Sequence, residues 1–108
     1  MLPKQSSIRY TPAAVDDLDE IFSYISMDNV EQAEKMLDKL DEKIRNIADF
    51  PNIGSVLSED DYNLIQRGYR FIVVAPYLVF YRITLEGIII YRILHGRRDY
   101  LRDLFEMN

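Results

Sequence analysis

The sequence predicts an α+β fold: an N-terminal helical hairpin packed on a small, mainly antiparallel β-sheet, followed by a short C-terminal helix. Two changes of pattern carry that expectation. Between residues 12 and 50 the apolar side chains recur at helical spacing, whereas from Tyr69 onward they gather in runs rich in β-branched and aromatic residues. A third observation concerns the later runs, which are apolar at consecutive positions and so present nonpolar side chains to both faces of any sheet they form.

Ser7-Ile8-Arg9-Tyr10 is a candidate first strand. Thr11 can cap a helix, and Pro12 suits its first turn. From Pro12 to about Met27, Val15, Leu18, Ile21, Phe22 and Ile25 share one face, and Asp16, Asp17, Asp19 and Glu20 load the early turns, where they complement the helix dipole. Asp28 is the expected cap of a second helix, with Glu31 as its capping-box partner. In that helix Ala33, Leu37, Leu40, Ile44 and Ile47 form the seam expected of a helix packed antiparallel on its neighbour. Phe50-Pro51 ends it, and the aperiodic segment from Pro51 to Asp61 reads as a loop.

Tyr69 to Val74, Tyr77 to Ile83 and Ile88 to Leu94 are expected to be three antiparallel strands. Thr84-Leu85-Glu86-Gly87 joins the last two as a hairpin loop, with Gly87 supplying a positive φ. Asp99 or a neighbour starts the short amphipathic tail, in which Tyr100, Leu101, Leu104 and Phe105 cluster. If the helical hairpin covers one face of the sheet, the other face needs a cover too, and several large apolar groups together make a docking surface for another chain.

With 108 residues and 12.8 kDa the chain is a single domain, 1–108. It has no cysteine, which excludes disulfides and thiolate metal sites and suits a cytoplasmic setting. The first residues lack the apolar core of a secretory signal, and no run approaches the roughly 18 apolar residues of a membrane span. Neither a membrane nor a cofactor or metal is therefore expected.

The net charge of -5 divides unevenly. Residues 1–65 hold 14 acids and 6 bases, residues 66–108 hold 4 acids and 7 bases, and all seven of those bases are arginine. The planar guanidinium suits carboxylate or phosphate partners, although pairing with the chain's own acids is an equally direct use.

The segments Gly68-Tyr69-Arg70, Pro76-Tyr77-Leu78-Val79-Phe80-Tyr81-Arg82 and Ile93-Leu94-His95-Gly96-Arg97-Arg98-Asp99, in the order strand, helical hairpin, antiparallel strands, resemble the RelE/ParE superfamily of toxins from type II toxin-antitoxin modules. The resemblance spans nearly the whole chain. It implies a cytoplasmic, growth-inhibiting toxin, of the kind associated with plasmid stabilization, neutralised by a cognate antitoxin. Two targets are implied by the two branches: DNA gyrase for ParE-like members, which are not hydrolases, and the ribosome with its messenger RNA for RelE-like members, which are metal-free endoribonucleases. A degenerate member would keep only the binding fold.

On the nuclease reading His95 would serve as acid or base, with Arg70, Arg97 and Arg98 clamping the phosphate. Where the best-known RelE-like nucleases carry an arginine on the middle strand, this chain has Leu78, and their lysine-rich character is missing. An acidic chain also approaches the ribosome against an unfavourable field. These departures favour the ParE-like branch. On that reading His95, followed by Gly96, has a structural role in the turn, and Asp99 caps the tail or pairs with Arg97 or Arg98. Arg97, Arg98 and Arg102 would then meet the target, while Arg82 and Arg92, as neighbours on adjacent strands, would meet antitoxin carboxylates beside Phe80 and Ile90.

Overall fold

The structure is a computed structural model that describes residues 7–56 and 68–96. Strand β1 (Ile8–Tyr10) leads into helices α1 (Pro12–Ser26) and α2 (Val30–Asp49). A 3-10 turn at Pro51–Ile53 and a two-residue strand β2 (Ser55–Val56) follow, then β3 (Tyr69–Val74), β4 (Tyr77–Thr84) and β5 (Gly87–His95). Among the described residues five strands form one sheet in the order β1-β5-β4-β3-β2, and of their pairings only β1–β5 is parallel, as the helical crossover between them requires. The expected α+β architecture is the observed one. The tail from Asp99 lies outside the described residues.

Thr11 does two jobs at the start of α1. Its side-chain oxygen accepts the Ala14 N–H at 3.0 Å and donates to the Tyr91 carbonyl at 2.7 Å, while its backbone N–H continues the pairing with β5 through the Ile90 carbonyl. The carboxylates of α1 begin only in its second turn, so the dipole argument for them fails. The cap of α2 is Asn29 rather than Asp28. Asn29 adopts the extended backbone of a cap and accepts the Gln32 N–H at 3.0 Å.

The loop expected after Phe50 contains structure that its composition concealed. The Tyr81 hydroxyl donates to the Pro51 carbonyl at 2.7 Å and accepts the Gly54 N–H at 2.9 Å, and Arg70 Nη1 donates to the Gly54 carbonyl at 2.9 Å. This knot ties the end of α2 to the sheet. A Cβ at Gly54 would lie 2.7 Å from the Tyr81 ring and 2.8 Å from the Phe71 carbonyl, so glycine is what allows the backbone to come so close.

The core lies between the hairpin and one sheet face. Ala14, Ile21, Leu40, Ile44 and Ile47 pack against Val74, Tyr77, Val79, Tyr81, Ile88, Ile90 and Ile93. Each fully buried large apolar side chain contributes roughly 1.5–3 kcal/mol. On this side burial raises three phenols above their usual value of 10. Tyr10 is raised further by Asp41, against an opposing pull from Arg45; Tyr77 by Tyr24; for Tyr81 the Gly54 hydrogen bond and Arg70 oppose the rise. Because the folded-state values lie above the unfolded one, these groups add stability that is fully present below pH 10 and is lost as pH climbs through the folded values. A urea midpoint followed between pH 8 and 11 is expected to hold and then fall above about pH 10.

The β4–β5 pairing contains an irregularity between Phe80 and Tyr81, where Phe80 faces Arg92 and Tyr81 faces Ile90. Tyr91 is the extra residue of β5 at this β-bulge. Strict alternation along β5 therefore breaks, which is why its inward and outward residues were not separable by counting.

Candidate functional site

Asp17 falls on the same stripe of α1 as the buried Ala14 and Ile21, and is itself only 4% exposed. A carboxylate in that position needs partners, because burying an unpaired charge is far too costly. Arg92 supplies a two-pronged one: its Nε donates to Asp17 Oδ2 and its Nη2 to Oδ1, both at 2.8 Å. The backbone N–H of Ile93 adds a third bond to Oδ2 at 2.9 Å. Beyond Tyr10 the chain has left the sheet for α1, so the Asp17 carboxylate takes the place of a neighbouring strand along the edge of β5.

Asp17 and Ile93 also line a groove of about 640 Å³ between α1 and the end of the sheet. Ile21, Tyr24 and Met27 line it from the helix, and Tyr77, Ile93 and His95 from the strands. The spacing of Asp17, Glu20, Ile21, Tyr24 and Met27 puts them on one side of α1. Tyr77 and His95 are register partners on β4 and β5, and their rings meet edge to face with centroids 5.7 Å apart. Immediately after, the Gly96 N–H donates to the Pro76 carbonyl at 2.9 Å, so His95 sits where the ladder closes into a turn.

Of the nuclease constellation expected from the sequence, the described residues include Arg70 and His95, and the structure sets these two apart. Arg70 pairs with Tyr81 in the ladder, and His95 with Tyr77. The two pairs lie four positions apart on β4, roughly 13 Å along the strand. Arg70 is also committed to the Gly54 carbonyl. Arg97, Arg98, Asp99 and Arg102 lie outside the described residues.

Three of the four residues expected to face an antitoxin are placed elsewhere or buried. Ile90 is completely buried beneath the helices, because the bulge sets it inward. Arg92 holds Asp17, leaving its side chain 15% exposed. Phe80 is on the opposite sheet face, where its ring packs 6.1 Å from Phe71, and it is fully buried. Arg82 is half-buried over the Tyr69 ring, 5.6 Å from its centroid, and its buried Nε has no hydrogen-bond partner among the described residues. Arg82 and Arg92 are not neighbours: the former pairs with Ile89 and the latter with Phe80. The second face is accordingly less open than its apolar sequence implied. Tyr69, Phe80 and Leu94 are buried there, while Val73 is exposed.

The groove itself was missed. Tyr24 and Met27 lie outside the apolar stripe expected for α1 and are 74% and 84% exposed. The legible signal was Asp17, the carboxylate of the Asp16-to-Glu20 run that falls at core spacing with Ala14 and Ile21.

Among the described residues no helix is long and apolar enough to cross a membrane. Residues 8–100 match the family model described as the ParE toxin of the type II toxin-antitoxin system, parDE. Toxin ParE1 of Mycobacterium tuberculosis is 39% identical over 103 residues, covering 91% of this chain and 99% of that protein. Toxin ParE3 of Caulobacter vibrioides is 31% identical over 93 residues, covering 85% of this chain and 87% of that one. A solved structure titled as the chromosomal ParDE TA system from P. aeruginosa superposes with a TM-score of 0.67 at 25% identity, covering 84% of this chain and 96% of that chain. A helical hairpin on a mixed sheet, matched to one family over nearly its full length in sequence and in shape, makes this chain a member of the ParE toxin family within the RelE/ParE superfamily.

Proposed function

We propose that this chain is a growth-inhibiting toxin directed at DNA gyrase and neutralised by a cognate antitoxin. Membership of the ParE family supports the general role, and relatives named as toxins support it further. The observation that carries the choice of target is the separation of Arg70 from His95, with Leu78 between Tyr77 and Val79 on the middle strand. Metal-free RNA cleavage needs an acid or base within hydrogen-bond reach of a clamped phosphate. Arg70, spent on the Gly54 carbonyl, does not provide that clamp. A toxin that inhibits by binding requires no such arrangement.

The test is growth arrest on induction without antitoxin, with messenger RNA ends mapped in parallel. His95→Gln is expected to retain most of the growth arrest, and Arg97→Ala with Arg98→Ala to reduce it. Loss of an essential general acid or base would instead lower cleavage by about 100-fold or more. Ribosome-dependent cuts at codon boundaries that vanish in His95→Gln would overturn the gyrase assignment.

A further inference from the structure

Between α1 and the ends of β4 and β5 the groove encloses about 640 Å³, within the roughly 300–1,000 Å³ of small-molecule sites, and its walls combine three kinds of surface. Ile21 and Ile93, both buried, make an apolar floor. Each wall adds an aromatic ring: Tyr24 on the helix is largely exposed, whereas Tyr77 on the sheet is buried and braced edge to face by His95. Burial raises the pKa of the Tyr77 phenol and Tyr24 raises it further, so the two phenols lie within electrostatic reach of each other. The rim is acidic. Asp19 and Glu20 are exposed there, Glu20 one turn before Tyr24, and α1 has no lysine or arginine to offset them. Arg92 does not offset them either, since Asp17 holds its Nε and Nη2.

These surfaces select a ligand by its chemistry. An anion is repelled by the carboxylates of the rim. A polyamine, charged along its whole length, would have to lay unpaired ammonium groups on the isoleucine floor and lose their hydration. A neutral apolar molecule gains the floor but nothing from the rim. A molecule with one cationic end and an apolar body satisfies both: the body covers Ile21 and Ile93, and the cation rests on the Tyr24 ring face within reach of Glu20 and Asp19, where π attraction and charge act together. We propose that this groove is a binding site for a small organic monocation with an apolar body, of the arylalkylammonium class. The proposal concerns the isolated chain and does not depend on the target the toxin acts on.

The probe is phenylbutyltrimethylammonium, titrated into the isotope-labelled full chain with amide shifts as the readout, beside a neutral twin that carries tert-butyl in place of trimethylammonium. A dissociation constant in the millimolar range or tighter is expected, the scale a ligand of this size reaches, with shifts gathered around Tyr24, Met27, Tyr77 and His95. The neutral twin should bind about tenfold more weakly, and spermidine more weakly than the monocation. Asp19→Asn with Glu20→Gln should weaken the cation by about threefold or more, flatten its decline with added salt and leave the neutral twin unchanged. Tyr24→Leu keeps an apolar surface but no ring face, and should also weaken the cation by about threefold or more. All three positions are exposed, so the melting temperature should stay close to that of the parent. Equal affinity of the cation and its neutral twin, tighter binding of spermidine, or a cation affinity unchanged by either variant overturns the assignment. Shifts centred outside the groove, or no binding at millimolar probe, overturn it as well.

Discussion

Arg92→Ala is expected to lower folding stability by about 3 kcal/mol or more, the usual scale for removing one partner of a buried ion pair. The effect is large because Asp17 remains, 4% exposed, with its charge uncompensated and only the Ile93 N–H still bonded to it. For a domain of this size the melting temperature should drop by more than about 10 °C. Arg92→Glu should be worse still, since it sets two carboxylates against each other; that variant is therefore unsuitable as a selective probe of antitoxin binding. Removing both charges, as in Asp17→Leu with Arg92→Met, should cost less than Arg92→Ala alone, although Ile93 then loses its acceptor. The exposed Arg9–Glu86 pair, 3.8 Å apart, is the control, and Arg9→Ala should change stability by no more than about 0.5 kcal/mol. Equal losses from Arg9→Ala and Arg92→Ala in a thermal melt would refute the clamp.

Tyr81→Phe is the second substitution with a large expected effect, about 2–4 kcal/mol. A single hydroxyl serves two backbone groups here, the Gly54 N–H and the Pro51 carbonyl, and the phenylalanine ring would leave both without that partner. The surrounding packing is kept, so the cost reports the hydrogen bonds rather than a cavity. The comparison is Tyr24→Phe, which alters an exposed phenol and should be close to neutral. A urea midpoint for Tyr81→Phe indistinguishable from that of Tyr24→Phe would mean that the segment after α2 is not held by this knot.

Much of the fold is legible because local pattern and tertiary role agree. Thr11-Pro12 starts α1, the Ala33-to-Ile47 seam is buried, and Gly87 takes its positive φ of 136° at the β4–β5 turn. Where the sequence misleads, a long-range contact has outweighed a local one. Asp17 reads as part of a solvated acidic run, yet a residue 75 positions away buries it. The pair of helix-cap candidates Asp28 and Asn29 differs by one position, within the ordinary uncertainty of a helix end. The bulge at Tyr91 shifts the outward register of β5, so Ile90, apparently available to a partner, belongs to the core. The groove depends on how α1 lies across the strand ends, which no run of residues encodes locally.

The most direct measurement of the proposed target is a DNA supercoiling assay with purified gyrase and the purified chain, run beside a ribosome-programmed messenger RNA cleavage assay. Gyrase inhibition that rises with toxin, persists in His95→Gln and is reversed by the antitoxin is the expected result. Unaffected gyrase together with ribosome-dependent cleavage lost in His95→Gln would contradict it.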